Sequence, residues 1–172
     1  MSFQSTVYLA SGAGVSGDFY TDSPRICESY ILNSVSATNN VFGRAFTKNG
    51  QGVAQVGDPS GTGVFAGFLV NPKGSVNYGI LGNALSPTLV LPNESQAELL
   101  TMGSIFVTLP AAAAIGDYVY FDQTTGELTT QAPGSAPLSG TSFAFAEVDF
   151  FTVSAAGLAV ITVKQYPAIP SI

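Results

Sequence analysis

The sequence predicts an all-β fold: one mainly antiparallel β domain, a sandwich or barrel of jelly-roll type, with extended terminal arms. Short β-prone runs recur along the 172 residues, separated by Gly, Pro and Asn. Many short strands at such spacing are typical of sandwiches and barrels. Asn49-Gly50 suits a tight hairpin, whose two central residues need positive φ angles.

The predicted strands follow one another along a single domain, residues 1–172. Residues 1–10 and 166–172 are possible arms, since their apolar residues occur at the chain ends and prolines extend the second segment. Surface loops are expected over the Gly-rich residues 51–63 and over 131–141. The expected strands cover residues 6–10, 28–34, 43–48, 64–70, 88–91, 105–109, 118–122, 127–130, 143–147 and 159–165.

Two further turns are predicted from their residues. Asp58-Pro59-Ser60-Gly61 has the composition of an ordinary β-turn. The loop from Asp122 to Glu127 connects two strands, and Gly126 can adopt the left-handed conformation that such a loop requires.

Residues 93–114 allow more than one interpretation. Asn93-Glu94-Ser95-Gln96 resembles a helix capping box. The residues after it also fit a strand over 97–109 with a bulge at Gly103, which we favour because 105–109 continue it. The alanines at 111–114 are too few to nucleate a helix, so they predict a close-packed connection or one helical turn.

The composition restricts the possible partners. Only 9% of residues are charged, against about 25% in an ordinary domain. A surface with so few charges favours burial of part of it in an assembly, although a surface of uncharged polar residues would also fit this composition. The net charge of −6 argues against nucleic acid and anionic membranes as partners. No signal peptide or membrane-spanning run is expected.

The residues predict no catalytic, metal or cofactor site, and hence no enzyme. Histidine is absent, which removes the commonest general base and most zinc sites. The single cysteine, Cys27, is expected to be a small buried residue rather than a nucleophile. Gly12-Ala13-Gly14-Val15-Ser16-Gly17 fits the dinucleotide pattern GxGxxG, but the residues after it are unsuited to a helix, so a flexible Gly-rich turn is expected.

Carboxylate pairs and tyrosines leave two alternatives open. Two carboxylates can hydrolyse a glycoside, and the pairs in the sequence are Asp18/Asp22, Glu94/Glu98 and Glu147/Asp149. Glu147 and Asp149 share one face of a strand, and Ala146, Val148 and Phe150 form its apolar face, so a solvated polar face is the simpler interpretation. Tyrosines could form a sugar-binding platform, as in a carbohydrate- or receptor-binding β-module; they are Tyr20, Tyr78, Tyr118 and Tyr120.

Several stretches resemble the capsid cement (decoration) proteins of tailed bacteriophages. They occur in the same order along most of the chain. They are GDFYTDSPR (17–25), NVFGRAF (40–46), FAGFLVNPK (65–73), LLTMG (99–103) and AIGDYVYF (114–121).

The resemblance implies a β-rich structural virion protein on the outer surface of the phage head, where it would hold neighbouring capsid subunits together. The implied partners are the major capsid protein and further copies of the chain, as a homo-dimer or homo-trimer. Folding would take place in the host cytoplasm before assembly. The residues that we expect to contact another chain are the apolar ones near the two ends: Phe3, Tyr166, Ile169 and Ile172.

Overall fold

The computed structural model describes residues 14–21, 24–48, 53–55, 63–71, 90–150 and 153–164. These residues form nine β-strands and one 3-10 turn, Ala37–Asn39, with no α-helix among them. No helix in this part of the chain could span a membrane. The strands are β1 (Ile26–Leu32), β2 (Ala45–Lys48), β3 (Val53–Gln55), β4 (Val64–Leu69), β5 (Gln96–Leu109), β6 (Tyr118–Asp122), β7 (Leu128–Gln131), β8 (Thr141–Asp149) and β9 (Gly157–Val163).

The first five strands form a closed ring. Their order is β1-β3-β2-β4-β5, and β5 pairs back with β1. Only β1 and β3 run parallel, so the predicted mainly antiparallel barrel or sandwich is confirmed. Every strand of the ring has two neighbours, which leaves no open edge. The ring encloses an apolar cluster of Tyr30, Leu32, Phe42, Phe46, Ala54, Ala66, Leu69, Ala97 and Leu99.

The second sheet has the order β5-β9-β8-β6-β7 and is antiparallel throughout. Strand β5 belongs to both sheets: its first half pairs with β1 and β4, and its second half pairs with β9. The inner face of the second sheet packs on ring residues such as Ala45 and Phe68 in one continuous core cluster. Strand β5 therefore joins the two sheets through both its backbone and its side chains.

Alternation along the strands explains which side chains enter that core. In β8, Ala144, Ala146 and Val148 are buried, and in β6 Val119 and Phe121 are buried. Successive side chains on a strand point to opposite faces, so Glu147 and Asp149 lie on the outer face of the second sheet. Phe145 departs from this alternation: it has a positive φ of 52° beside a register shift and packs against the core.

The structure resolves the ambiguity around residue 100 in favour of the strand. Residues Gln96–Leu109 form one strand, and no helix begins at the capping-box residues. The irregularity lies at Thr101, where β5 passes Ile26 and Cys27, two residues before the predicted bulge. Gly103, with φ 125°, begins the pairing with β9. Among the alanines, Ala113 is buried and bridges Val153, whereas Ala111, Ala112 and Ala114 are exposed. The close packing predicted for this connection is therefore limited to Ala113, and no helical turn forms at 111–114.

The ring includes residues from one predicted loop and one predicted strand. The loop prediction for 51–63 was wrong at β3, which lies within it and pairs with both β1 and β2. Of the expected strand 88–91, Val90 forms an isolated bridge with Val41. The expected strand 6–10 and the turns at Asn49-Gly50 and Asp58–Gly61 involve residues outside the described ranges.

Candidate functional site

The carboxylates of Glu147 and Asp149 on β8 form contacts with β9 and the residue after it. Glu147 makes an ion pair with Lys164. The Oδ2 atom of Asp149 accepts a hydrogen bond of 2.9 Å from the hydroxyl of Thr162 on β9. Each acid is therefore held by a residue from β9 or just after it, and the two stabilise the β8–β9 pairing across the outer face.

The buried apolar face of β8 ends at Val148 and is shorter than the sequence predicts. Ala146 and Val148 are buried, but Phe150 is 47% exposed, so its assignment to that face was wrong. The strand ends at Asp149, and Phe150 has a positive φ of 66°, which interrupts the alternation. Its amide donates to Oδ1 of Asp149 at 2.8 Å, and its ring packs on Tyr20 with centroids 4.4 Å apart.

The other two acidic pairs do not form a described site either. Asp18 is buried and accepts a hydrogen bond of 3.2 Å from the side-chain amide of Asn71, whereas Asp22 lies outside the described residues. Glu94 has a left-handed backbone before β5, and Glu98 is exposed on β5. Within the described ranges, no three Cys, Asp or Glu side chains come close enough to hold a metal ion.

Cys27 has the surroundings of an unreactive thiol. It is half-buried against the main core cluster. Burial raises the pKa of the Cys27 thiol, and the negative charge of Glu98 raises it further, against a smaller lowering by Arg25. Because the thiolate is the nucleophilic form, these surroundings disfavour catalysis.

The described part of the GxGxxG segment, residues 14–17, forms a turn, as the sequence predicts, but the turn is packed on the ring instead of flexible. Ser16 and Gly17 occupy the turn, and the Ser16 hydroxyl donates to the carbonyl of Phe42 at 2.9 Å. The Gly17 amide donates to the carbonyl of Phe106 at 2.7 Å. A Cβ at Gly17 would lie 2.7 Å from Cβ of Phe42, so glycine permits this close contact between the turn and the ring.

The described tyrosines do not share one platform. Tyr20 packs edge-on against Phe106 with centroids 5.4 Å apart. Tyr118 and Tyr120 instead both contact Phe143, at 5.6 and 5.5 Å. Tyr78 lies outside the described residues. The rings pack on one another, which fits their role as sheet surface.

The outer face of the second sheet near β7 carries partly exposed aromatic rings. Tyr118 and Phe143 are each 37% exposed there, on neighbouring strands. Beside them lies β7, the last strand in the sheet order. The tyrosines can be recognised from the sequence, whereas the position of Phe143 beside them depends on the pairing of β6 with β8.

Arg44 fixes the position of the β6–β7 hairpin on the ring. Its guanidinium donates to the Asn39 side chain at 3.0 Å and to the Thr125 carbonyl at 3.1 Å, and it pairs with the Glu127 carboxylate at 2.6 Å. The Ala45 amide adds a hydrogen bond of 3.1 Å to the carbonyl of Gly126. The hairpin end is therefore held by three of these contacts, to Thr125, Gly126 and Glu127, and the bond to Asn39 orients the guanidinium.

The residues predicted to contact other chains were Phe3, Tyr166, Ile169 and Ile172. All four lie outside the described ranges. Their role stays a prediction, and the same holds for the extended arms at 1–10 and 166–172.

Comparison with known proteins gives one family and one shared fold. A chain of a solved structure titled "The capsid of Myoviridae Phage XM1" superimposes with a TM-score of 0.63 at 18% identity, over 97% of this chain and 100% of that chain. That likeness shows a common fold. No curated protein matches the sequence.

The family comparison covers nearly the whole chain. The family model described as "Structural cement protein (E217 gp24/Pam3 gp6)" matches residues 3–164. This range contains every described strand of both sheets. The chain therefore belongs to the phage structural cement protein family, whose role in the capsid is structural.

Proposed function

We propose that this protein binds the outer surface of a tailed-phage head and stabilises contacts between neighbouring capsid subunits. The observation that carries the proposal is the family match over residues 3–164. The fold shared with a chain from a phage capsid supports it. The acidic pairs and the thiol described above are in surroundings that suit a structural protein, so the proposed function includes no catalysis.

The charge distribution supports the outer surface. The net charge is −6, and such a protein is poorly suited to a surface that faces packaged DNA. Several of the charges are also engaged within the molecule, in the pairs Arg44–Glu127, Lys48–Glu28 and Lys164–Glu147. The remaining uncharged surface suits contacts whose strength comes from buried area.

The proposed partners are the major capsid protein and further copies of this chain, as a dimer or trimer. Neither nucleic acid nor a membrane is a proposed partner. The protein would fold in the host cytoplasm and join the head afterwards. Phe3, Tyr166, Ile169 and Ile172 are the proposed contact residues, because apolar side chains at chain ends are stabilised when a partner covers them.

The number of copies per particle tests the location. A cement protein should be present in many copies on purified heads, whereas a carbohydrate- or receptor-binding fibre module should be present in few copies on tails. Quantitative gels of separated heads and tails measure this number. Recovery of the protein mainly with tails would contradict the proposal.

A second experiment tests stabilisation. Heads stripped of the protein should regain it when purified protein is added back, and their melting temperature should rise as sites fill. An acidic protein of similar size serves as the control. Rebinding without any rise in the melting temperature of the heads would show that the protein decorates but does not stabilise.

A further inference from the structure

The chain leaves β9 beside the partly exposed aromatic rings on the outer face of the second sheet. The Lys164 amide, one residue after β9, donates to the Phe145 carbonyl of β8 at 3.1 Å. The Lys164 side chain is ion-paired with Glu147, whose partner on the neighbouring strand β6 is Tyr118. Residues 165–172 therefore begin next to β8, within one strand of the Tyr118 ring.

The register between β8 and β9 predicts which residue follows on the outer face. The two strands pair antiparallel up to Val163, and the Lys164 bond to Phe145 carries the same register one step further. Two residues later in that register, Tyr166 falls opposite Phe143. Alternate residues of a strand share a face, so Tyr166 falls on the outer face together with Lys164 and its ion pair.

Strand β8 is the neighbour that the residues after β9 can follow. Strand β5 pairs with β9 only from Gly103 onward, and its earlier residues pair with β1 and β4. Pro167 has no amide hydrogen, so ladder pairing cannot continue beyond Tyr166. The register therefore brings one aromatic side chain to the outer face before Pro167 ends the pairing.

The rings at this position have an uncovered apolar surface that suits an aromatic partner. Tyr118 and Phe143 are each 37% exposed, with ring centroids 5.6 Å apart in an edge-on arrangement. Aromatic rings pack favourably in such edge-to-face clusters. Residues 165–172 contain no charged side chain, so no ionised group would be buried against the rings.

We propose that Tyr166 packs on the rings of Tyr118 and Phe143 in its own chain and so fixes the direction in which residues 167–172 leave the molecule. The single residue between Lys164 and Tyr166 keeps the ring near its site, at an effective concentration in the millimolar range or above. A second copy supplies a competing ring only at a comparable protein concentration. The packing is independent of the proposed function, whereas the use of residues 167–172 on a partner rests on it.

Tryptophan fluorescence tests the packing, because the sequence contains no tryptophan. Tyr166→Trp should emit at shorter wavelength and be less quenched by acrylamide than Leu138→Trp, whose site is 54% exposed in the loop after β7. Adding Phe143→Ser to Tyr166→Trp should shift the emission to longer wavelength and raise the quenching. Circular dichroism checks that each variant is folded. Equal quenching of the tryptophans at 166 and 138 would overturn the proposal.

A dilution series distinguishes the chain's own rings from those of a second copy. The emission of Tyr166→Trp should be the same at micromolar and nanomolar protein, because a contact within one chain does not depend on concentration. A shift to longer wavelength on dilution would show that the ring packs on another copy, and the contact within one chain would then be wrong.

A disulfide tests the register without relying on ring packing. In a Cys27→Ser background, Tyr166→Cys combined with Phe143→Cys should form a bridge within one chain on mild oxidation, since opposite residues of an antiparallel pair lie within disulfide range. Tyr166→Cys combined with Leu138→Cys is the control and should stay reduced. The proposal is overturned if no bridge forms, if bridges form only between chains, or if both pairs oxidise equally.

Rebinding to stripped heads tests the positioning role. Tyr166→Ala should rebind more weakly than the parent, whereas Tyr166→Phe should rebind like it, because the ring rather than the hydroxyl makes the contact. Phe143→Ser leaves Tyr166 in place and should also weaken rebinding, so full rebinding of Phe143→Ser would contradict the positioning role. Failure of the parent itself to rebind would contradict the proposed function, while the fluorescence and disulfide experiments still decide where Tyr166 packs.

Discussion

Asn40 is fully buried, and each polar group of its side chain has a partner. Its Oδ1 atom accepts a hydrogen bond of 2.6 Å from the Ser34 hydroxyl. Its amide donates to the Leu91 carbonyl at 2.9 Å and to the Asn93 side chain at 3.0 Å. Asn93 in turn bonds the backbone of Ser34 on both its amide and its carbonyl. This network joins the chain after β1 to the chain before β5.

Asn40→Asp should destabilise the protein by about 2–4 kcal/mol, because a buried charge would face two acceptors in place of two donated hydrogen bonds. Asn39→Asp is the matched control. The Asn39 side chain already accepts from Arg44, so a carboxylate there should change stability little. Urea unfolding of both variants measures the difference. Equal stability of the two would show that the network contributes nothing specific.

Cys27 and Tyr30 predict how stability depends on alkaline pH. Burial raises the pKa of both groups, and for Tyr30 the hydrogen bond to Glu28 raises it further while Lys48 lowers it. Unfolded Cys and Tyr titrate near about 8.5 and 10, so the unfolded chain loses these protons first. Their contribution is complete below those values and is lost as pH rises through the higher folded values.

Thermal melts from pH 7.5 to 10.5 should therefore show a falling melting temperature. In Cys27→Ala the decrease at the lower end of this range should be smaller, because the thiol that titrates first is missing. Tyr30 remains, so the decrease above pH about 10 should persist. Identical profiles for the two proteins would contradict the raised thiol pKa.

At the scale of the element, the β6–β7 hairpin shows how a few residues specify a turn. Gly126 has φ 70°, as the sequence predicted. Oδ1 of Asp122 accepts hydrogen bonds from the amides of Thr124 and Thr125, at 2.7 and 2.8 Å. A left-handed glycine followed by a residue paired with Asp122 is the G1 type of bulge.

Gly126→Val should cost roughly 1–2 kcal/mol, since a β-branched residue is strained at positive φ. Thr124→Val is the control: it keeps the branched shape at an exposed loop position and removes only a hydroxyl. Melting temperatures of the two variants and the parent provide the comparison. An unchanged melting temperature for Gly126→Val would mean that the turn tolerates another backbone conformation.

The sequence predicted elements best where local patterns suffice. Strand β6 matches its expected bounds, 118–122, because aromatic residues alternate between well-marked turns. Strand β3 was missed because three residues among glycines carry little local signal. It is stabilised by parallel pairing with β1 and antiparallel pairing with β2, and such pairing is not visible in a local sequence pattern. Phe150 was assigned to the wrong face because its backbone has a positive φ after β8 ends, and its ring packs on Tyr20, which is distant in the chain.

The outer face of the second sheet near β7 was harder to predict from the sequence than the strands themselves. That β7 forms an edge follows from the strand order β5-β9-β8-β6-β7, a set of long-range pairings. The pairing of β6 with β7 also determines that the backbone amides and carbonyls of Leu128 and Thr130 point away from β6. Composition alone gave the expectation of burial in an assembly, from the small share of charged residues.

At the scale of the whole molecule, the chain ends are expected to matter for assembly. Deleting residues 167–172 should leave a folded protein that binds heads, or its own oligomer, more weakly. Each large apolar side chain covered by a partner could contribute about 1.5–3 kcal/mol before ordering costs. Pro167 and Pro170 limit strand pairing, which favours contact with another chain over a place in the sheet.

Thermal melting and rebinding to stripped heads distinguish the outcomes of this truncation. Replacing residues 167–172 by an equal length of Gly and Ser is the control for chain length. Rebinding at full affinity would show that the segment is no anchor. A truncated protein that fails to fold would place the segment in the core.

Strand β5 also has a mechanical consequence. Its 14 residues extend over about 45 Å, and neighbouring strands hold both halves. Tension applied along this axis would load the ladder hydrogen bonds in shear, so that many must break together. A pull across the sheet at β7 would instead peel the outermost strand one bond at a time. The molecule should therefore resist stretching along β5 far better than peeling at β7, the last of the described strands in the second sheet.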